Sequence, residues 1–238
     1  MTTVPTIVLL GGSGLAPWAW QRVGPLLDAD GMRVLAPQLR ATGDDTTPAA
    51  EVSLTTWIED LAGFLAAEDL RDITLVAHSF AGYVATGVLA READRIRDVV
   101  FLDAALPKPG RTWFDVMGED VRSFMSRLAE DGAIPFFSRD QLNHLYPGHG
   151  ISDTDWSWMQ PQLTAQPIAT YSQPAISEPI DQTASQFTYI RCLRTAPPAA
   201  HIDAETAGWR ARILDAGHWP MITHPNETAE VIKEATIR

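Results

Sequence analysis

The sequence predicts an α/β fold, in which a mostly parallel, open sheet carries helices on both faces. Two observations lead to this prediction. Short apolar segments alternate with longer helix-like segments along the first part of the chain, which is the pattern of β-α-β units. The 238 residues are 45% apolar and 20% charged, a composition that supports one large packed core and excludes general disorder.

The predicted strands are short runs with few polar residues. Strands of a parallel sheet are covered on both faces, so their apolar residues follow one another without alternation. About six strands are predicted, over residues 6–10, 33–36, 73–77, 99–102, 186–192 and 212–214.

The predicted helices are recognised by apolar residues that recur on one face. The first begins at Pro17, a residue suited to a first helical turn, and stops at Asp30. The second has a candidate capping box in Thr56 and Glu59 and runs to Leu70. Further helices are predicted over residues 81–93, 201–209 and 226–237.

Residues 107–183, which we call the lid segment, interrupt this alternation and contain several prolines. Because so long a loop without regular structure is rare in a compact domain, short helices are expected over 115–131 and 154–166. The predicted organisation is a core made of residues 1–106 and 184–238, with a helical lid inserted between the two parts.

The charge balance is acidic, with 30 Asp and Glu against 18 Lys and Arg and a net charge of -12. Ligands with a phosphate backbone are held mainly by basic residues, so nucleic acid is excluded as the expected partner. The chain lacks a run of about 18 apolar residues and begins without a basic signal-peptide region, so we expect a cytoplasmic protein with no membrane partner. The single cysteine, Cys192, excludes an internal disulfide, and a homodimer is left open.

The turn after the strand 73–77 carries the residue that we predict to be a nucleophile, Ser79. A nucleophile elbow needs small residues two positions before and two after the serine, so that strand and helix can approach closely. Ala77 and Ala81 stand there; glycine is usual at both positions, and alanine still meets the steric requirement. The alternative is a serine that caps the following helix without taking part in catalysis.

A serine nucleophile needs a base, and in this architecture the base follows the last strand. His218 lies there, directly after a glycine that permits a tight turn. His78, next to the serine, is expected to be packed or bonded to the turn instead. The remaining histidines have no carboxylates or cysteines grouped around them, so no metal site is predicted at His144, His149, His201 or His224.

Two backbone N–H groups, those of Ser13 and Phe80, are predicted to bind the oxyanion that forms during acyl transfer. Ser13 lies in a glycine-rich loop after the first strand, and Phe80 follows the nucleophile. The same loop does not fit a dinucleotide fingerprint, because Pro17 follows in place of a third glycine. In addition, Gln38 stands where an acidic ligand of the ribose is expected.

Several stretches taken together resemble the α/β-hydrolase superfamily. They are the loop 11–20, Leu102-Asp103-Ala104 with Pro107, residues 166–170, residues 189–192, and Gly217-His218 with Met221. The similarity covers nearly the whole chain and is to the small esterase group that includes plant methyl esterases, hydroxynitrile lyases and bacterial carboxylesterases. It implies an α/β-hydrolase fold with a helical cap, a Ser-His-acid triad and no cofactor.

The catalytic acid is the place where the sequence departs from this group. The group commonly carries its acid two or three residues after the fifth predicted strand, where this chain has Thr195, which cannot carry a charge. Asp103 is the leading substitute, since it ends the preceding strand and keeps the chain order serine, acid, histidine. The alternative for Asp103 is that it caps a turn. Asp203 and Glu205 are weaker candidates, and Asp215 is expected to point away from the histidine.

These residues predict a serine hydrolase that cleaves carboxylic esters through an acyl-enzyme, with Ser79, His218 and Asp103 as its triad. The aromatic residues of the lid segment favour a small, apolar or aromatic ester as the substrate. The acidic charge of the chain favours neutral esters over anionic ones. The residues expected to contact the substrate are Gly12, Trp156, Trp158 and Trp219.

Non-hydrolytic functions stay open because the usual acid is missing. One is a cyclase or decarboxylase of a biosynthetic intermediate, and another is a ligand-binding protein with a degenerate site. A hydroxynitrile lyase is less favoured, because Trp219 follows His218 where those relatives have lysine. The serine at the elbow excludes dehalogenases and epoxide hydrolases, whose chemistry needs a carboxylate there.

Overall fold

A six-stranded parallel sheet runs through the computed structural model, which describes residues 4–177, 179–180, 185–195 and 208–236. The strands are β1 (Thr6–Leu10), β2 (Arg33–Leu35), β3 (Ile73–His78), β4 (Ile96–Leu102), β5 (Ala133–Ile134), β6 (Gln166–Pro167), β7 (Gln186–Cys192) and β8 (Arg210–Leu214). Their order in the central sheet is β2-β1-β3-β4-β7-β8, while β5 and β6 form a separate antiparallel pair. The predicted α/β fold with a mostly parallel sheet is confirmed.

Each predicted strand is present, and two of them begin earlier than predicted. β4 begins at Ile96 instead of residue 99, and β8 begins at Arg210 instead of residue 212. Charged residues lie among those added: the Asp98 side chain is 2% exposed and forms ion pairs with Arg97 at 2.6 Å and with Arg210 at 3.5 Å. A continuous apolar run predicts a strand, so charged residues at the start of a strand fall outside the predicted bounds.

The α-helices of the described residues are α1 (Gly24–Ala29), α2 (Leu54–Ala67), α3 (Ala81–Glu92), α4 (Trp113–Met117), α5 (Glu119–Leu128), α6 (Arg139–Leu145), α7 (Asp153–Met159), α8 (Pro220–Thr223) and α9 (Pro225–Thr236). Short 3-10 helices lie at Pro17–Trp20, Ala49–Glu51, Ala93–Arg95, Gln160–Gln162 and Ile168–Ser172. None of the helices in these ranges has the length and apolar character that crossing a membrane requires.

Two predicted core helices begin differently. The segment that starts at Pro17–Trp20 is a 3-10 helix followed by a separate helix α1, because Pro25 fits only the first turn of a helix. The predicted capping box of Thr56 and Glu59 is wrong, since α2 begins earlier and is capped by Ser53. The Thr56 N–H donates to Ser53 Oγ, and the Ser53 N–H donates to Thr56 Oγ1 at 3.1 Å.

The helices of the lid segment are shorter than predicted. The helix predicted over 115–131 is divided into α4 and α5 by Gly118, whose φ of 94° is readily adopted only by glycine. The helix predicted over 154–166 ends with α7, and the chain then passes through a proline-containing 3-10 turn into β6.

Two further outcomes concern helices α6 and α9. Helix α6 was not predicted, although Ser138 and Gln141 form a capping box at its start that is visible in the sequence. The helix predicted over 226–237 corresponds to α9. Most of the helix predicted over 201–209 lies outside the described residues.

Helices cover both faces of the sheet. Val8 and Leu10 of β1 belong to the apolar cluster that contains α2 and α3 residues, whereas Ile7 and Leu9 belong to the cluster with α1 and α9 residues. Because all strands of the sheet are parallel, their carboxyl ends lie along one edge. The loops after β1, β3, β4 and β8 therefore meet at that edge.

Candidate active site

Ser79 stands in a strained turn between β3 and α3. Its φ of 54° lies in the left-handed region, which costs a non-glycine residue about 1–3 kcal/mol and is typical of functional sites. The turn is tightly surrounded: a Cβ at Gly12 would lie 2.6 Å from Ser79 Cβ, and a Cβ at Gly82 would clash with the Ala105 carbonyl. The small residues of this region allow the backbones to approach and raise the serine above the sheet.

His218 connects the serine with an acid. Its Nε2 lies 2.9 Å from Ser79 Oγ, and its Nδ1 lies 2.6 Å from Asp103 Oδ2. An ionised carboxylate can only accept a hydrogen bond, so Nδ1 carries a proton and its N–H donates a hydrogen bond to Asp103. Nε2 is then free to accept the hydroxyl proton of Ser79. His218 and Asp103 are 6% and 2% exposed, so this chain of hydrogen bonds is shielded from water.

The Asp103 side chain is held by three donors. Oδ2 accepts from His218 and from the Thr195 hydroxyl at 3.3 Å, while Oδ1 accepts from the Cys192 N–H at 3.1 Å. Burial raises the pKa of Asp103, but the hydrogen bond and charge of His218 and the Cys192 N–H outweigh it and hold the pKa below its usual value. The carboxyl group is therefore charged at neutral pH.

Among the other candidate carboxylates, Asp215 lies within the described residues. Asp215 is exposed and forms an ion pair with Arg194 at 2.8 Å, pointing away from His218 as expected. Asp203 and Glu205 lie outside the described residues.

His78 is buried and hydrogen-bonded to the turn that carries His218, in agreement with the expectation of a packed or turn-bonded residue. It is 1% exposed, and its Nε2 donates to the His218 carbonyl at 2.7 Å. Burial lowers the pKa of His78 to about 3, so the ring is neutral. The buried His78 thus supports the backbone of His218 and is not in contact with the Ser79 hydroxyl.

The backbone N–H groups of Ser13 and Phe80 face no protein acceptor in the described part of the chain. Gly14, with a φ of 72°, allows the loop to turn directly after Ser13. The Ser13 hydroxyl lies 2.6 Å from the Tyr171 hydroxyl, and Tyr171 was not predicted as a site residue. Tyr171 directly follows the stretch 166–170 that resembles the esterase group, and that position is the one signal that marks it.

A cavity of about 320 Å³ lies over the serine. Ser13, Ser79, Phe80, His218 and the predicted contact residue Trp219 line it. Its other walls come mainly from the lid segment and are apolar or aromatic, with Trp113, Met117, Val121, Phe124, Met125, Leu128, Ile134, Phe136, Phe137, Leu145, Tyr146 and Tyr171. Among the residues that the structure describes, neither Lys nor Arg contributes to this lining.

The other expected contact residues do not line this cavity. Trp158 packs edge-on against Trp18 at 5.5 Å and lies under the Arg22 guanidinium, and Trp156 borders a neighbouring cavity. Gly12 is enclosed by Ser79 and His78, so it makes room for the elbow instead of touching a ligand. These three residues are therefore not part of the lining of this cavity. For Trp156 and Trp158, the aromatic content of α7 gives no indication of which helix face meets the cavity.

Within the described ranges, no group of three or more His, Cys, Asp or Glu side chains is arranged to hold a metal ion. The arrangement places a serine hydroxyl against an imidazole that is hydrogen-bonded to a carboxylate, beside two backbone N–H groups without a described protein acceptor.

Comparisons with known proteins place the chain among enzymes that cleave esters. The model of a family described as the alpha/beta hydrolase family matches residues 7–231. A carbendazim hydrolyzing esterase of Nocardioides sp. (strain SG-4G) is 29% identical over 232 residues, which cover 94% of this chain and 96% of that protein. Methylesterase 1 of Arabidopsis thaliana is 36% identical over 103 residues, which cover 42% of this chain and 39% of that protein.

The fold is similar to that of solved structures. An extracellular alpha/beta-hydrolase from a Paenibacillus species superposes with a TM-score of 0.88 over 98% of this chain and 100% of that chain. The two sequences are 20% identical, so this likeness concerns the fold alone.

Proposed function

The chain belongs to the alpha/beta hydrolase family and is a carboxylic ester hydrolase, and on that premise we propose that it cleaves small, neutral, apolar or aromatic esters through an acyl-enzyme on Ser79. One observation carries the proposal: Asp103, His218 and Ser79 form a continuous chain of hydrogen bonds beside an apolar cavity.

Acylation starts with the attack of Ser79 Oγ on the acyl carbon of the ester. The serine proton passes to His218 Nε2, 2.9 Å away, and the charge of Asp103 stabilises the imidazolium that forms. His218 then gives this proton to the alcohol oxygen, and the alcohol leaves. The acyl group stays bound to Ser79.

The negative charge that develops on the carbonyl oxygen needs donors that are already in place. The N–H groups of Ser13 and Phe80 belong to two loops that meet at the carboxyl edge of the sheet, and no described residue accepts from either. Donors that are oriented before the reaction stabilise the transition state without reorganisation.

Deacylation repeats the sequence with water as the nucleophile. His218 takes a proton from the water, the hydroxide oxygen bonds to the acyl carbon, and the bond to Ser79 Oγ breaks. The serine recovers its proton from His218, and the carboxylic acid leaves. No cofactor enters the balance of either half-reaction.

The substrate class follows from the cavity. A volume of about 320 Å³ lies near the lower end of ligand pockets, which suits a small ester. The lining is apolar apart from a few hydroxyl, amide and triad groups, and no described Lys or Arg lies in it to compensate a negative charge on the substrate. Neutral esters with an apolar or aromatic part therefore fit best.

Carbendazim is the first named compound to test. The relative that matches over nearly the full length of both chains is a carbendazim hydrolyzing esterase. Neutral aryl esters and methyl esters complete the panel, because methylesterases are also among the relatives.

A non-hydrolytic function is less favoured than ester hydrolysis. It was considered because Thr195 stands at the usual place of the acid, and Asp103 supplies His218 with the carboxylate that Thr195 lacks.

The test compares the wild-type protein with Ser79→Ala and with a matched control, Ser157→Ala, which removes an exposed serine hydroxyl on α7. Hydrolysis of the ester panel is expected for the wild type and for Ser157→Ala and is expected to disappear in Ser79→Ala. Equal hydrolysis by wild type and Ser79→Ala would refute the proposal.

A further inference from the structure

A tyrosine of the lid segment contacts both residues that are proposed to bind the oxyanion. The Tyr171 hydroxyl lies 2.6 Å from Ser13 Oγ. The Tyr171 ring meets the Phe80 ring at right angles, with 4.7 Å between the centroids, and stacks on Trp113 at 4.3 Å. Tyr171 is 4% exposed, so this geometry is enclosed by packing.

The two hydroxyl groups carry two protons, and only one of them can lie between the oxygens. Burial raises the pKa of Tyr171 above its ordinary value, so the phenol keeps its proton at neutral pH. Neither Ser13 Oγ nor the Tyr171 oxygen has another partner among the described residues. One hydroxyl proton of the pair is therefore without a protein acceptor, and both residues line the cavity over Ser79.

The arrangement of donors decides which proton is free. When Tyr171 donates to Ser13 Oγ, the serine proton is the one left over, on the same residue whose N–H faces the oxyanion position. A hydroxyl that accepts one hydrogen bond is also polarised and becomes a better donor in the next. The Ser13 hydroxyl can then act together with its own backbone N–H.

We propose that the Ser13 hydroxyl is a third hydrogen-bond donor to the oxyanion, and that Tyr171 is the positioning residue that orients it. This inference rests on the proposed ester hydrolysis at Ser79. The additional hydrogen bond strengthens as charge develops on the carbonyl oxygen, so it acts on the rate of acylation more than on substrate binding. It also makes the lid segment part of the oxyanion site.

Two substitutions test the proposal. Ser13→Ala removes the hydroxyl and keeps the N–H, and Tyr171→Phe removes the phenolic oxygen and keeps the ring against Phe80 and Trp113. Tyr83→Phe is the matched control: Tyr83 is also buried and stacks on Phe80 at 5.2 Å, and its hydroxyl has no partner among the described residues.

The expected result is a loss in kcat with little change in KM. Ser13→Ala should lower kcat on the order of 100-fold, as for other oxyanion donors. Tyr171→Phe should lower it about tenfold, the effect of one lost hydrogen bond. The double variant should be no slower than Ser13→Ala alone, since Tyr171 acts through Ser13. Tyr83→Phe should keep the wild-type rate.

The affinity for an aryl boronic acid distinguishes this role from a structural one. The boronate forms a tetrahedral adduct with Ser79 that resembles the charged intermediate, so its affinity should fall by the same factor as kcat in each variant. Values of kcat and boronate affinity within about twofold of wild type in both variants would overturn the proposal, as would additive losses in the double variant. If Ser79→Ala keeps its activity, the proposed function itself fails.

Discussion

The Thr195 hydroxyl donates a hydrogen bond to Asp103 Oδ2 at 3.3 Å, and the same oxygen accepts a hydrogen bond from His218 Nδ1 at 2.6 Å. Thr195 stands where the esterase group commonly carries its acid. The usual acid position and Asp103 are thus neighbouring side chains beside one imidazole. The carboxylate that is hydrogen-bonded to His218 follows the end of β4, and the Thr195 hydroxyl donates a hydrogen bond to that carboxylate.

The first prediction concerns Asp103 itself. Asp103→Asn should lower kcat about 10³- to 10⁴-fold, because the amide neither stabilises the imidazolium nor fixes the tautomer of His218. Steady-state hydrolysis of a neutral aryl ester measures this loss. Asp215→Asn, which removes an exposed carboxylate that is paired with Arg194, is the control and should behave like the wild type. A loss of less than about tenfold in Asp103→Asn would mean that another group acts as the acid.

A carboxylate moved from position 103 to position 195 should take over part of the role of Asp103. In the background of Asp103→Asn, the substitution Thr195→Asp should restore activity about tenfold or more, because the new carboxylate lies on the same side of His218 Nδ1. The kcat of the double variant is compared with that of Asp103→Asn alone. No recovery in a double variant that melts at the temperature of the single variant would argue against a shared position.

The third prediction concerns pH and stability. Burial lowers the pKa of His78 from its ordinary value of about 6.5 to about 3, so between these pH values the unfolded state binds a proton that the native state does not. The resulting stability is fully present above about pH 6.5 and falls by up to about 1.4 kcal/mol per pH unit below it. Urea unfolding at pH 7.5 and at pH 5.5, which lies about one pH unit below 6.5, measures this decrease in the free energy of unfolding.

The His78→Gln variant tests the origin of that decrease. It removes the titrating group and should flatten the dependence of the unfolding free energy on pH, whereas His144→Gln, which removes an exposed imidazole of α6, should keep it. Identical slopes in His78→Gln and wild type would show that other groups cause the decrease.

The fourth prediction concerns the charge of the substrate. No Lys or Arg of the described ranges lines the cavity, and the chain has a net charge of -12, so a carboxylate-bearing ester should be hydrolysed more slowly than its neutral isostere. The difference should grow at low salt, since screening then weakens. Rising activity toward the anionic ester at low salt would contradict this prediction.

A cation introduced into the cavity sharpens this test. Gln141→Lys places an ammonium group in the lining and should raise kcat/KM for the anionic ester about tenfold relative to the neutral one. Gln160→Lys adds the same charge outside this cavity and should leave the ratio unchanged.

The elements that the sequence predicted well depend on local signals. Ser79 and His218, which the structure brings within hydrogen-bonding distance, are recognised from short stretches. A small-residue turn after an apolar strand and a histidine after the last strand are local features. The acid was left open, because its assignment depends on how β4 and β7 pair. That pairing sets Leu102 opposite Ile190 and so brings Asp103 to Cys192 and Thr195.

The lid segment shows the limit of sequence reasoning. Its aromatic residues indicated an apolar site, but Trp156 and Trp158 lie outside the cavity over Ser79, whereas Tyr171 reaches Ser13. The apolar content of a short helix is the same whichever face it turns to the core. The rotation of such helices is decided by packing between segments distant in sequence.

We propose that His218 and Asp103 activate Ser79 as a nucleophile. Covalent labelling with a fluorophosphonate tests this activation. Intact mass and peptide mapping should show one added group on Ser79 in the wild type, none in Ser79→Ala, and strongly slowed labelling in His218→Ala. Labelling that persists in Ser79→Ala, or a wild-type protein that is not labelled, would contradict the account.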